Sequence, residues 1–150
     1  MKWTPSRSIV LSRICVGLCA LVYLAVVIGC PFAVEGYIDI SASQAEGNEM
    51  WFMISVYLCA VPVGVILWKL GRLIKNIGDL NLFTGENISC LRWISWMCFA
   101  VAAIALVSAA YYIFWAIIGC CMAFMGLLIR VIKNVFERAR EIKEENDFTI

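Results

Sequence analysis

The chain has 150 residues, of which 63% are hydrophobic and 15% charged, with a net charge of +1. A soluble domain carries about a quarter charged residues and under half apolar ones, so this composition excludes one and points to a single membrane domain over residues 1–150. There is no His, which removes the commonest general base and metal ligand.

Lys2, Arg7 and Arg13 precede the first apolar span, Ile14 to Val34, which runs 21 residues without a charge. A hydrocarbon core of about 30 Å needs about 20 helical residues, and basic flanks hold a span's start inside. Pro5 suits a first helical turn, and Pro31 lies near the outer end of the span. Val27-Ile28-Gly29-Cys30 resembles a lipobox, so lipidation of Cys30 is the alternative to an uncleaved first span. Pro31 directly after the Cys is awkward for cleavage, and the uncleaved span is preferred.

Glu35 to Glu49 reads as a short outer loop with acids at positions 35, 39, 46 and 49 and no base. The second span is Met50 to Trp68, with Trp51 and Trp68 as interfacial aromatics. Pro62 and Gly64 inside it predict a kink or a backbone gap filled by a neighbour. The apolar stripe continues through Leu67, Leu70, Leu73, Ile74 and Ile77, while Lys69, Arg72 and Lys75 face away. Gly78 is placed to end this helix as C′, and Thr84 to start the next as N-cap. Glu86 then falls in a first turn, with Phe83 and Ile88 as a hydrophobic staple. Residues 69–92 are therefore expected to form a cytoplasmic helical hairpin.

Trp93 to Ile129 is uncharged over 37 residues. As one helix it would be about 56 Å long, nearly twice the core thickness, and would strand five bases outside. Two spans, about 93–109 and 113–129, solve both problems. The turn is expected in Ser108 to Tyr112, although that patch holds no Gly, Pro, Asn or Asp. Small residues four apart, Ala105/Ala109 and Gly119/Ala123, would let helices approach closely and offer faces for homo- or hetero-oligomers. The tail, 130–150, carries an apolar stripe (Leu128, Val131, Ile132, Val135, Ala139, Ile142) ringed by bases near an anionic leaflet, then acids farther out.

The expected fold is thus an all-α integral membrane protein with four transmembrane helices, both termini cytoplasmic and helices extended into the cytoplasm. All twelve Lys and Arg then share one side. The second, third and fourth spans hold no Asp, Glu, Lys or Arg, which weighs against a proton-coupled transporter or an intramembrane protease. Their Ser, Tyr, Cys and Trp are expected to serve hydrogen bonds between helices. Cys15 and Cys19 share a helix face, but two thiols do not make a metal site. Most of the eight Cys are read as small packing residues. No enzyme, catalytic residue, cofactor or metal is expected, nor direct nucleic-acid binding.

The distinctive polar residues lie on the inner side, and they are the candidate partner-docking set. In the hairpin these are Asn76, Asp79, Phe83, Glu86, Asn87 and Arg92. In the tail they are Glu144, Glu145, Asn146, Asp147, Phe148, Thr149 and Ile150, where an exposed Phe and Ile near a free end invite burial. The hairpin pattern, Asn76-Ile77 to Leu80, then Phe83-Thr84-Gly85-Glu86-Asn87 and Leu91-Arg92, resembles a family of small bacterial membrane proteins, domain of unknown function 2975. The ending, Glu141 to Ile150, is similar to that family's: acids, then Asn-Asp, an apolar residue, Thr and an aliphatic end. The resemblance covers essentially the whole chain and rests on two moderately specific motifs, neither of them catalytic. It departs in the near absence of a loop between spans three and four, so an outer-face role placed in that loop does not carry over.

What the resemblance implies is four spans in a bacterial cytoplasmic membrane and no established activity. It also implies a small helix-turn-helix DNA-binding regulator as neighbour, and so a sensory or regulatory membrane role. The competing expectation is an accessory subunit of a membrane transporter or channel complex.

Overall fold

A computed structural model describes the backbone of residues 5–40, 49–78 and 84–147, and side chains within 9–32, 50–76 and 84–146. The helices are α1 (Pro5–Ile40), α2 (Glu49–Gly78), α3 (Gly85–Ser108) and α4 (Phe114–Asp147). Each contains a window apolar enough to cross a membrane, with mean hydropathy of 2.5, 2.2, 1.9 and 2.2 in chain order. The chain is an all-α, multi-pass membrane protein by that measure. Phe83 of the expected staple and the segment 41–48 lie outside the described residues.

Neighbours in sequence are neighbours in space: α1 packs on α2, α2 on α3, and α3 on α4. The third helix is the centre, with 44% of its apolar window buried against 6% in α1 and 17% in α2 and α4. Its buried face follows Asn87, Leu91, Ile94, Cys98, Val101, Ala105 and Ser108. Those steps alternate four and three residues, the 3.5-residue repeat of helices crossing at about 20°. The fourth helix answers with Trp115, Gly119, Met122, Gly126, Ile129, Lys133 and Phe136 on the same repeat. Two apolar clusters result. Near one end, Cys59, Val101, Ala105 and Trp115 pack with Phe52 and Tyr112 around them. Near the other, Leu73, Cys90 and Leu91 pack with Ile129 and Phe136.

Close approach of α3 and α4 rests on glycine. A Cβ added at Gly119 would lie 2.8 Å from Leu106 Cγ and 3.3 Å from the Ala102 carbonyl oxygen. One at Gly126 would lie 3.3 Å from Cys98 Cβ and from the Phe99 ring. Gly119 and Gly126, seven apart on α4, thus both face α3, because the seam repeats every heptad; of the expected small pairs, Ala105 and Ala109 pack in the core at the turn end. Beside Gly126, Ser95 Oγ donates to its carbonyl at 2.9 Å.

The first helix runs through Pro31 to Ile40, so the expected outer loop is helical in its first residues. Proline at 31 has no N–H for the Val27 carbonyl, which would normally be lost to the helix. Tyr57 Oη of α2 donates to that carbonyl at 3.3 Å. In the opposite direction, Tyr23 Oη of α1 donates to the Ala60 carbonyl at 3.0 Å. Tyr23 lies over Gly64, where a Cβ would stand 3.0 Å from its hydroxyl. Tyr23 thus packs in the space that Gly64 leaves open, while its bond goes to Ala60 and not to the Leu58 carbonyl that Pro62 leaves without an N–H.

The chain reverses between Ser108 and Phe114 without Gly or Pro. Ala109 caps α3 in an ordinary right-handed conformation, φ −62 and ψ −17. The Tyr111 and Tyr112 N–H groups both donate to the Ser108 carbonyl at 3.3 Å. At Ala109, where a helix often ends on a glycine in the left-handed region, the right-handed conformation needs none.

Candidate functional site

Polar side chains gather at both ends of the α2–α3–α4 unit. At the end near the α3–α4 turn, Ser108 Oγ donates to Ser55 Oγ and Tyr111 Oη approaches the same oxygen, each at 2.8 Å. Tyr111 Oη also lies 3.3 Å from the Trp51 carbonyl. This hydroxyl cluster joins α2 to the α3–α4 turn inside an apolar setting, where an unmade bond costs most. Trp115 stands beside it in the same core, its indole N–H without a partner among the described residues. The arrangement is interhelical bonding of the kind expected for Ser and Tyr within spans.

At the opposite end the charges collect. Thr84 is the N-cap of α3, in extended conformation, and its side chain accepts from the Asn87 N–H at 3.4 Å. This places Asn87 on the buried face, where it is 0% exposed. Its Oδ1 accepts from Asn76 Nδ2 of α2 at 3.0 Å. One turn away, Glu86 pairs with Arg72 of α2. On the other flank, Glu137 of α4 takes Arg92 at 3.1 Å through one oxygen and Lys133 at 2.8 Å through the other. The Glu137 carboxyl is held below its usual pKa, first by the Lys133 hydrogen bond, against some desolvation, and then by Arg92. Farther along α4, Arg140 Nε bonds Glu144 at 2.7 Å.

Between the start of α3 and this part of α4 lies an open cleft of about 370 Å³. Gly85, Ile88, Ser89 and Arg92 form one wall, and Glu137, Arg140, Glu141 and Glu144 the other. Gly85 admits the Arg140 guanidinium, which would stand 2.7 Å from a Cβ at that position. The cleft therefore presents both signs of charge on two helical walls. Among the described residues no set of three or more metal-ligating side chains gathers.

The structure brings together part of the docking set chosen from sequence. Arg92 and Glu144, from separate motifs, line the same cleft. Glu86 is half exposed beside it, paired to Arg72. Glu145 and Asn146 are exposed at the far reach of α4. Asn76 and Asn87 turn inward and bond each other, so their part is to lock α2 to α3. Asp79, Phe83, Phe148, Thr149 and Ile150, and the Asp147 side chain, lie outside the described residues. Sequence reasoning missed Ser89, Glu137, Arg140 and Glu141. For the three on α4 the signal was the continuation of the seam past Ile129 at heptad spacing, which carries them along α3.

Residues 8–150 match the model of a family described as protein of unknown function (DUF2975). No curated protein and no solved structure matches the chain. With nearly the whole chain under that match, and four helices fit to span a membrane, this protein belongs to the DUF2975 family of proteins of unknown function.

Proposed function

We propose that this chain is a non-enzymatic sensory or regulatory protein of a bacterial cytoplasmic membrane, with both termini inside, that holds a small helix-turn-helix regulator at its charged end. One observation carries the reading: Arg92 and Glu144, picked from two motifs far apart in sequence, line one cleft. The sorting of all twelve Lys and Arg to one side supports the orientation that turns this cleft to the cytoplasm. The non-enzymatic part is supported by the lack of His and of any acid in Met50 to Trp68 or Trp93 to Ile129.

The test is co-purification of the full chain with the regulator encoded beside it. Association should fall sharply with Arg92→Glu and with deletion of residues 144–150. Unchanged recovery of the regulator with both variants sinks the docking reading. A second reading, an accessory subunit of a transporter or channel complex, draws on α1, which among the described residues packs on α2 alone and leaves much of its surface open. A transporter-subunit gene next door and a crosslink from α1 to its product would favour it.

A further inference from the structure

At the charged end Arg72 faces Glu86, and Arg92 and Lys133 face Glu137. One turn nearer the apolar core, Lys69 and Arg130 have no carboxylate partner among the described residues. They lie instead against indoles. Lys69 Nζ is 4.9 Å from the centre of the Trp68 ring and 6.0 Å from that of Trp93. The Arg130 guanidinium is 5.6 Å from the centre of the Trp96 ring.

Trp93 and Trp96 are three residues apart on α3, so they share its exposed face, and they are 50% and 57% exposed. Lys69 comes to that face from α2 and Arg130 from α4. A cation on an indole face keeps its charge; the ring does not neutralise it. The site therefore presents two uncompensated positive charges over an aromatic floor, at the level where Trp marks a membrane interface. Below it the exposed face of α3 continues with Ala103, Leu106 and Val107, a surface fit for acyl chains.

The geometry points to a bound anionic phospholipid here, its phosphate between Lys69 and Arg130 and its chains along α3. The occupant is a lipid, because the charged floor runs directly into an apolar face on a helix that crosses the bilayer. The inference rests on the membrane reading of the chain and is independent of regulator docking.

The test is native mass spectrometry of the full chain released from nanodiscs of equimolar phosphatidylcholine and phosphatidylglycerol. One phosphatidylglycerol per protomer should survive in preference to phosphatidylcholine. A basic residue near an anionic surface contributes about 1 kcal/mol, or about fivefold. Lys69→Gln and Arg130→Gln should thus each lower retention about fivefold, and the pair about 25-fold. The charge-keeping Lys69→Arg and Arg130→Lys variants should retain it, which controls for misfolding. Arg138→Gln, a base elsewhere on α4, should leave retention unchanged. Equal retention of both lipids, loss with Arg138→Gln as large as with the double variant, or no loss with the double variant would overturn the proposal.

Discussion

Gly119→Ala is the sharpest probe of how α3 and α4 meet. The added methyl would stand 2.8 Å from Leu106 Cγ, 3.0 Å from its Cδ2 and 3.3 Å from the Ala102 carbonyl oxygen. Carbon atoms pack comfortably at about 3.5–4.0 Å, so the nearest contact is too short by about 0.7–1.2 Å. Leu106 is 48% exposed and has room to swing, but the Ala102 carbonyl belongs to the helix backbone. Overpacking of this kind costs about 1–3 kcal/mol. Alanine also gains up to about 1 kcal/mol over glycine in helix propensity, which partly offsets the clash. Gly17→Ala isolates that gain, because nothing lies within 4 Å of a Cβ there. Reversible unfolding in mixed micelles should therefore place Gly119→Ala about 1–3 kcal/mol below Gly17→Ala. Leu106→Ala in the Gly119→Ala background should recover most of that difference. If the two alanine variants are equally stable, the seam does not rest on Gly119 and the packing argument fails.

Other measurements follow from the same contacts. Tyr57→Phe should cost about 0.6–2 kcal/mol by leaving the Val27 carbonyl unmet, and the cost should vanish in a Pro31→Ala background that restores the helix N–H; a persisting cost would mean the phenol does something else. Asn76→Ala and Asn87→Ala should each destabilise by about 1–3 kcal/mol, with the double variant losing clearly less than their sum; strict additivity in the cycle would deny the pairing. Because the Glu137 carboxyl is depressed, its contribution is present above the ordinary Glu range and lost as pH falls through the lowered value. Protection factors at the start of α3, taken relative to the intrinsic exchange rate at each pH, should therefore fall on acidification, and Glu137→Gln should remove that part of the pH dependence. Ala110→Cys, exposed in the α3–α4 turn, should react from outside in a Cys-free background while Asn146→Cys stays protected until the membrane is opened; the reverse pattern would invert the proposed orientation.

Four helices, the reversal after Ser108 and the Thr84 cap could be read from sequence, because length, charge and capping chemistry mark them locally. The buried faces could not. In water, hydropathy separates the inner from the outer face of a helix; in a bilayer both faces are apolar. What distinguishes the inner face here is size and polarity: Ser55, Cys59, Ser95, Cys98, Ala102, Ala105, Ser108, Gly119 and Gly126 all turn inward. The same limit hid the α4 wall of the cleft. Arg92 stood out alone in an apolar context, but its partner Glu137 emerges only once the α3–α4 register is known.

The continuous seam on α4 also has a mechanical meaning. From Trp115 to Arg140 the helix spans about 38 Å with no proline or break in its path. A rod of that length tilted by about 5° about Trp115 carries Arg140 roughly 3 Å, about one hydrogen-bond length. Trp115 sits among the core contacts of the turn end, and Arg140 lines the cleft at the other. The Ser55–Ser108–Tyr111 hydroxyls and the Arg92–Glu137 pair thus lie at opposite ends of one unbroken helix, and a tilt of that size at the turn end would be felt at the ion pair.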